Sequence, residues 1–180
     1  MKKGIGLFLA VIMMVTLLAG CAPKQDQTQE IDLKEIHNAV KESLGEEGYI
    51  PNKELTLEEL ESITGIKEAD IESYIAETPM ISVNVDTFIA IKAKEGKADA
   101  IESSLVEYRT NLVENSMQYP MNLPKVNASK VVRHGDYVFF LMLGGVDPNM
   151  TNPDITEEEM LEFANGEIQK VENAINKFFE

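Results

Sequence analysis

The chain contains a continuous apolar run, Tyr137 to Leu143, that directly follows a turn of His134, Gly135 and Asp136. The segment before the turn, Lys130 to Arg133, has the composition of a strand, so the two segments predict a β-hairpin. A strand without polar alternation is typical of an inner strand that is covered on both faces, or of one that a partner covers.

Another hairpin is predicted earlier in the chain, where Ile71 to Ile81 and Thr87 to Ala93 are rich in β-branched and aromatic residues and flank a turn. Four further segments repeat apolar residues at helical spacing and predict helices: Leu33 to Leu44, Leu57 to Ile63, Gly96 to about Met117 and Leu161 to Phe178. Capping boxes at Thr56 and Thr156 mark the start of the second and the last. This order predicts an α+β fold with an antiparallel four-stranded sheet from two hairpins, long helices packed mainly on one face, and helical segments at the N-terminal end.

The composition is that of one acidic globular domain. The 180 residues include 16 basic and 31 acidic side chains, which gives a net charge of −15 at pH 7, and 44% are hydrophobic. The hydrophobic share is too high for a chain that is disordered throughout. The negative charge argues against nucleic acid as a partner, because binding to phosphates depends on Lys and Arg.

The N-terminal segment has the layout of a secretory signal peptide. Lys2 and Lys3 form a charged start, an apolar run from Gly4 to Leu18 follows, and small residues precede Cys21. The apolar run ends before it reaches the ~20 residues that a transmembrane helix needs. We therefore expect residues 1–20 to be a signal peptide that is removed.

The end of this segment, Leu18-Ala19-Gly20-Cys21, resembles the lipobox of bacterial lipoproteins, in which the Cys thiol is acylated before the leader is cut off in front of it. The resemblance implies lipidation of Cys21 as the first residue of the mature protein. Two or more acyl chains hold a protein stably on a membrane, so we expect a lipid-anchored protein on the extracytoplasmic face of the cell membrane. Residues 21–31 are predicted to be the acylated Cys and a flexible tether, and residues 32–180 a single α+β domain.

Longer stretches resemble one bacterial family. The lipobox, the helix near Asp32 to Leu44, and the stretches TPMISVNVDTFIAIKAKEGKADAIESSL and YPMNLPKVNASKVVRHGDYVFFLML are similar to small bacterial lipoproteins that carry a domain of unknown function, DUF4358. The similarity covers most of residues 32–143. Members often carry an acidic residue just before the second strand, for which the nearest positions here are Asp86 and Thr87. The resemblance implies a secreted, lipid-anchored domain of Gram-positive-type bacteria without an assigned activity.

The sequence contains no motif that marks a catalytic centre. It lacks a Gly-x-Ser-x-Gly turn, a P-loop and the His or Cys spacings of zinc sites, and Cys21 is its only cysteine. His37 and His134 are interpreted as solvated surface residues rather than as catalytic bases. No catalytic residue, metal or cofactor is therefore predicted, and the interpretation favours a protein without enzymatic activity.

One loop offers oxygen ligands for a cation. Asp147, Asn149, Asp154 and Glu158 are the weak candidates for a calcium site, because extracellular calcium sites bind through carboxylate and amide oxygens. Asn152 stands where an EF-hand loop needs Gly, so a plain solvated loop is the favoured interpretation.

Aromatic and methionine side chains near the second hairpin are the remaining candidates for a binding site. Phe139, Phe140, Met142 and Tyr119 would form an exposed apolar patch if one face of the sheet were open, and would fill the core if it were not; filling the core is the favoured interpretation.

Three hypotheses about function remain. The favoured one is a non-catalytic, lipid-anchored domain that binds a ligand or an envelope protein partner. The alternative is a carboxylate-based hydrolase of cell-envelope material that uses acids near Asp147 and Asp154. A small-solute receptor ranks last, because such receptors usually need two domains around a cleft.

Overall fold

The computed structural model describes residues 30–81 and 83–180. Residues 1–20, Cys21 and most of the predicted tether lie outside the described residues, so the leader and the lipidation stay predictions. Residues Ile31–Glu180 form one compact unit. Ile31 is already tied to it, because the Tyr137 hydroxyl lies 3.0 Å from Ile31 N and 3.1 Å from Ile31 O. Within the described part of the chain, no helix is both long enough and apolar enough to cross a membrane.

Five antiparallel strands form one sheet in the order β1-β2-β3-β5-β4. They are β1 (Lys53–Glu54), β2 (Ile71–Thr78), β3 (Thr87–Ala93), β4 (Lys130–His134) and β5 (Tyr137–Met142). The two predicted hairpins are β2-β3 and β4-β5, and β3 joins them by pairing with β5. The α+β class is confirmed, but the sheet has five strands rather than four, because the two residues of β1 are too few to show a strand pattern in the sequence.

In the described part of the chain, five α-helices accompany the sheet: α1 (Leu33–Gly48), α2 (Leu57–Thr64), α3 (Ala98–Glu114), α4 (Leu123–Ala128) and α5 (Glu157–Asn176). Both predicted capping boxes are present, at Thr56 before α2 and at Thr156 before α5. Gly45, where the sequence predicts the end of the first helix, has a φ of 69° and breaks the helical path within α1. The sequence does not predict the short helix α4, because its six residues are too few to show a helical repeat and they include Pro124.

One face of the sheet is covered by α2, α3 and α4. Ile101 and Leu105 of α3 belong to the same core cluster as Ile89 and Ile91 of β3 and Phe140 of β5. All five side chains are at most 1% exposed. The predicted apolar stripe of the long middle helix is therefore the core-facing side of α3.

The other face is covered by α1 and α5. Ile36 of α1 and Val171 of α5 pack in one cluster with Phe88 of β3 and with Phe139 and Leu141 of β5. This packing differs from the prediction that the helices lie mainly on one face. The reason is that both alternating sets of side chains in β3 are apolar and buried, as is the continuous apolar run of β5, so each face needs its own layer.

Candidate binding site at one end of the sheet

A cavity of about 200 Å³ lies at the end of the sheet where β3 begins and β5 ends. Its walls come from the β2-β3 loop, from α4 and the turn before it, from the β5-α5 loop, and from α5. Its apolar lining consists of Val83, Met121, Pro124, Val146, Met150, Met160, Phe163 and Ala164. Its polar lining consists of Asn84, Asn122, Lys125 and Asp147, together with Gly145.

Local hydrogen bonds hold the loops around the cavity. Asn122 Nδ2 donates to Val83 O at 2.9 Å and so joins the turn before α4 to the β2-β3 loop. Asp147 Oδ1 accepts a hydrogen bond from Asn149 N at 2.8 Å, which shapes the first turn of the β5-α5 loop. The capping box of Thr156 then fixes where α5 starts. Turn and cap residues in three separate chain segments thus hold the walls of the cavity in place.

A buried ion pair connects the cavity lining to the start of β3. Lys125 Nζ lies 2.5 Å from Asp86 Oδ1 and donates to Gly144 O at 2.8 Å. The Asp86 side chain is 0% exposed, and its second oxygen, Oδ2, has no hydrogen-bond partner among the described residues. Burial raises the pKa of Asp86, while the charge of Lys125 acts in the opposite direction. Lys125 therefore neutralises a carboxylate that would be costly to bury alone.

A second carboxylate, that of Glu167, holds the chain just after β5. Its Oε2 accepts a hydrogen bond from Gly145 N at 2.9 Å, and its Oε1 pairs with Lys170. Gly144 packs directly against it: the residue has a φ of 130°, and a Cβ there would lie 2.5 Å from Glu167 Cβ. Only glycine fits this position without moving the helix that forms one cavity wall.

Large apolar side chains remain exposed around the cavity. At least half of the surface is exposed in three of the lining residues: Val83 (50%), Met121 (59%) and Val146 (66%). The β2-β3 loop and the segment before α4 expose further apolar side chains. We call these three residues together with Met80, Ile81, Met117, Tyr119 and Leu123 the apolar rim. Exposed large apolar side chains that gather near a cavity are typical of surfaces that bind another molecule.

A separate buried polar cluster lies between α1 and β2. His37 Nε2 lies 2.8 Å from the Tyr49 hydroxyl and 3.2 Å from Glu77 Oε2, and the hydroxyl of Tyr49 donates to Glu77 Oε2 at 2.8 Å. The His37 ring also stacks on Phe88, with centroids 5.2 Å apart. The interpretation of His37 as a solvated residue was therefore wrong: its side chain is 10% exposed. It lies beside the apolar stripe of α1, and its polar partners come from distant parts of the chain, so the sequence did not reveal its burial.

The other histidine, His134, is half-buried rather than fully solvated. Its ring stacks on Phe179 with centroids 4.3 Å apart, and its Nε2 lies 2.9 Å from Asn176 Oδ1. Both partners lie at the C-terminal end of the chain: Asn176 is the last residue of α5, and Phe179 comes shortly after it. The residue therefore fastens that end of the helix to the β4-β5 turn.

The charges of the His37 cluster are mutually balanced. Burial alone would raise the pKa of Glu77, but hydrogen bonds with His37 and Tyr49 and the charge of Lys41, 3.8 Å away, outweigh it and lower that pKa. Burial, together with the hydrogen bond to Glu77, raises the pKa of the Tyr49 hydroxyl. Glu77 is therefore the ionised acceptor of this cluster, and Tyr49 is a permanent donor.

We expect the contribution of Glu77 to stability to depend on pH. Because its pKa is lower in the folded than in the unfolded chain, the contribution is complete above the unfolded value of about 4.5 and is lost as the pH falls through the folded value. Glu77→Gln should lower the free energy of unfolding by roughly 1–2 kcal/mol near pH 7 and by clearly less near pH 3. Urea unfolding at both pH values measures this, with the exposed Glu107→Gln as control. An equal loss at both pH values would contradict the assignment.

The structure separates the residues of the candidate apolar patch. Phe139, Phe140 and Met142 are at most 2% exposed, whereas Tyr119 is 60% exposed. The three strand residues therefore fill the core and do not form an exposed patch, because helices cover both faces of the sheet. Tyr119 alone is available at the surface, as part of the apolar rim.

The candidate calcium ligands lie along the β5-α5 loop and the first turn of α5. Asp147 lines the cavity and caps a turn, while Asp154, Glu158 and Asn149 are exposed. In the described part of the chain, no three His, Cys, Asp or Glu side chains converge as metal ligands would. Of the two acids considered for hydrolysis, only Asp147 is among the cavity residues. The loop thus supplies negative charge to the cavity mouth.

The sequence did not single out most of the cavity residues. No local motif marks the residues that line the cavity together, because their closeness depends on how α4, the β5-α5 loop and α5 pack. Examples are Lys125, Met150, Met160 and Phe163. Asp86 had a signal, because the family resemblance points to an acidic residue just before the second strand of the first hairpin. That position is where the buried ion pair lies.

Comparisons with known proteins give one match. A family model described as a domain of unknown function, DUF4358, covers residues 46–143, which is more than half of the chain. No match was found among curated proteins or among solved structures. The matched region contains all five strands of the sheet and the pair Asp86 and Lys125, whereas α5 lies beyond it. The chain therefore belongs to the family defined by DUF4358, a domain of unknown function.

Proposed function

We propose that this protein is a lipid-anchored, non-catalytic binding domain on the extracytoplasmic face of the membrane, and that it binds a partner at the cavity and its apolar rim. The observation that carries the proposal is the exposure of Val83, Met121 and Val146 around the mouth of an apolar cavity. Exposed apolar surface around a concave centre is typical of interaction sites.

The chain's own chemistry supports binding rather than catalysis at this site. Among the described residues that line the cavity, the one cation is Lys125, which is already paired with Asp86 and donates to Gly144 O. One acid, Asp147, is among its lining residues, whereas hydrolysis by paired carboxylates needs two acids at a fixed separation. Lys125 therefore holds the cavity wall together, and Asp147 contributes negative charge to the cavity.

The proposed anchor rests on the N-terminal sequence. Acylation of Cys21 and removal of residues 1–20 would also remove Lys2 and Lys3, which leaves 14 basic against 31 acidic residues and a net charge of −17. An anionic membrane surface repels such a domain. Contact with the bilayer would then occur through the lipid on Cys21, which leaves the apolar rim free for another molecule.

The anchor is tested by metabolic labelling with a fatty acid. We expect label on the wild-type chain and none on Cys21→Ala, because the thiol is the acylated group. Label on the variant, or an unlabelled wild type, would contradict the lipobox assignment.

Binding at the cavity is tested by chemical crosslinking in cells, followed by mass spectrometry of the chains that are joined. A specific partner should be captured by the wild type and by Val106→Asp, an exposed position on α3, but not by Val146→Asp at the cavity mouth. A partner that survives Val146→Asp would place the binding site elsewhere on the domain.

A further inference from the structure

We infer that the occupant of this site is a positively charged polypeptide segment of a partner protein, which inserts one large apolar side chain into the cavity. The inference rests on the proposed function and specifies the class of partner. Three observations carry it: the size of the cavity, the apolar surface around it, and the charge of the loops that surround both.

The size of the cavity fits a side chain better than a separate small molecule. Its volume of about 200 Å³ is below the ~300–1,000 Å³ of typical small-molecule sites. An apolar cavity of about 150 Å³ accommodates a benzene ring. One aromatic or leucine side chain therefore fills it, while the rest of the ligand remains outside.

The surroundings can bind that remainder. The chain segments that supply Val83 and Met121 to the cavity expose further apolar side chains close by in sequence, with Ile81 65% exposed and Tyr119 60% exposed. Met121, Met150 and Met160 line the cavity itself, and flexible methionine side chains adapt to apolar ligands of varied shape. A buried anchor surrounded by an apolar rim is the usual arrangement of an interaction hot spot.

The sign of the charge around the site selects a cationic segment. No Lys or Arg occurs between Arg133 and Lys170, the stretch that supplies the β5-α5 loop and the cavity-facing part of α5. That stretch carries Asp147 on the cavity lining and exposed acids at Asp154, Glu157 and Glu158. Glu157 precedes Met160 by three residues and so lies one turn along the same side of α5.

Other parts of the site do not offset this charge. The β2-β3 loop and the segment 117–124 contain no basic residue, and Lys125 is neutralised by the buried Asp86. An acidic peptide or an anionic lipid surface would therefore be repelled at this site. A basic segment would be attracted before its apolar side chain is inserted.

The test measures binding of three designed peptides to the lipidated chain in zwitterionic vesicles, by co-sedimentation. One peptide is an amphipathic Lys/Leu helix, the second replaces each Lys by Glu, and the third replaces each Leu by Ala. We expect the Lys/Leu peptide to bind about tenfold or more tightly than either of the others, with protein-free vesicles as background.

Variants of the chain separate cavity binding from charge attraction. Val146→Asp adds a negative charge, so purely electrostatic binding of the Lys/Leu peptide would become tighter, whereas the inference requires it to become about tenfold weaker. Val106→Asp adds the same charge on α3 and should leave the affinity within about twofold.

Each other outcome overturns the inference. Equal binding of the Lys/Leu and Lys/Ala peptides would show attraction without an anchor, and tighter binding of the Glu/Leu peptide would reverse the required charge. If none of the peptides binds, a basic polypeptide segment is excluded as the partner. The proposed function is then still decided by the crosslinking experiment in cells, which compares the wild type with Val146→Asp and does not depend on the class of partner.

Discussion

Replacing Lys125 by Met is expected to destabilise the folded chain by about 3–5 kcal/mol at neutral pH, because the substitution leaves the carboxylate of Asp86 buried without its counter-charge. Asp86 has no exposed surface through which water could replace the ammonium group, and its Oδ2 already lacks a partner among the described residues. Urea unfolding, with the midpoint and slope fitted together, measures the loss.

The dependence of this loss on pH identifies its cause. The unfolded Asp86 carboxyl titrates near 3.8 and the buried one at higher pH, so folding takes up a proton between the two values. The free energy of unfolding of Lys125→Met should therefore rise, relative to wild type, as the pH falls towards that interval.

A double variant provides the control for the ion pair. Asp86→Asn combined with Lys125→Met removes both charges, so it should be more stable than Lys125→Met alone near pH 7. If the double variant is as unstable as the single one at all pH values, loss of packing rather than unpaired charge is responsible.

Replacing Gly144 by Ala is expected to cost roughly 2–4 kcal/mol, the second large effect. The new Cβ would lie 2.5 Å from Glu167 Cβ and 3.0 Å from Glu167 Cγ, on a backbone with a φ of 130° that side chains rarely adopt. Relief requires α5 or the end of β5 to move, and both contribute to the cavity wall. Thermal and urea unfolding measure the loss.

Gly166→Ala, on an exposed part of α5, is the matched substitution. Apart from the neighbouring residues and the nearby backbone of α5 itself, no described atom lies within 4 Å of a Cβ at that position, so Ala should stabilise the helix by up to about 1 kcal/mol. If Gly144→Ala were as well tolerated as Gly166→Ala, the close contact with Glu167 would not exist as described.

The sequence was most informative where structure depends on local patterns. The capping box of Thr156 and Glu159 predicts the start of α5. The regular apolar spacing from Leu161 to Phe178 predicts which side of this helix is buried. Each of these signals arises within a single helix or a single hairpin. The hairpins and long helices could therefore be predicted close to their observed limits.

The sequence was least informative where separate elements meet. The sequence predicts helices mainly on one face of the sheet, yet Ile89 and Ile91 on one face of β3 and Phe88 and Ala90 on the other are all fully buried. Whether such a strand is covered once or twice depends on where α1 and α5 return to the sheet, which is a long-range property. The continuous apolar run of β5 is a local sign of double coverage.

The same distinction explains the site. The buried polar cluster brings together His37 of α1, Tyr49 just after α1, and Glu77 of β2. Their spacing in the sequence does not indicate that they are in contact. Asp86 and Lys125 are likewise 39 residues apart in sequence. Titratable groups that meet only through tertiary packing carry no motif that records their pairing, so the pairs themselves are visible only in the structure.

Two exposed valines of the chain differ in their surroundings. Val146 and Val106 are both exposed valines, at 66% and 48%, but Val146 lies at the mouth of the cavity and Val106 on the outer side of α3. Their equal chemistry and different surroundings make them a matched pair.

The most direct test places a photo-crosslinking residue at Val146 or at Val106 of the full chain in living cells and compares the adducts by mass spectrometry. We expect a reproducible protein adduct from position 146, joined through a basic segment, and none from position 106. Adducts of equal yield from both positions, or an adduct from position 106 alone, would contradict binding at the cavity and its apolar rim.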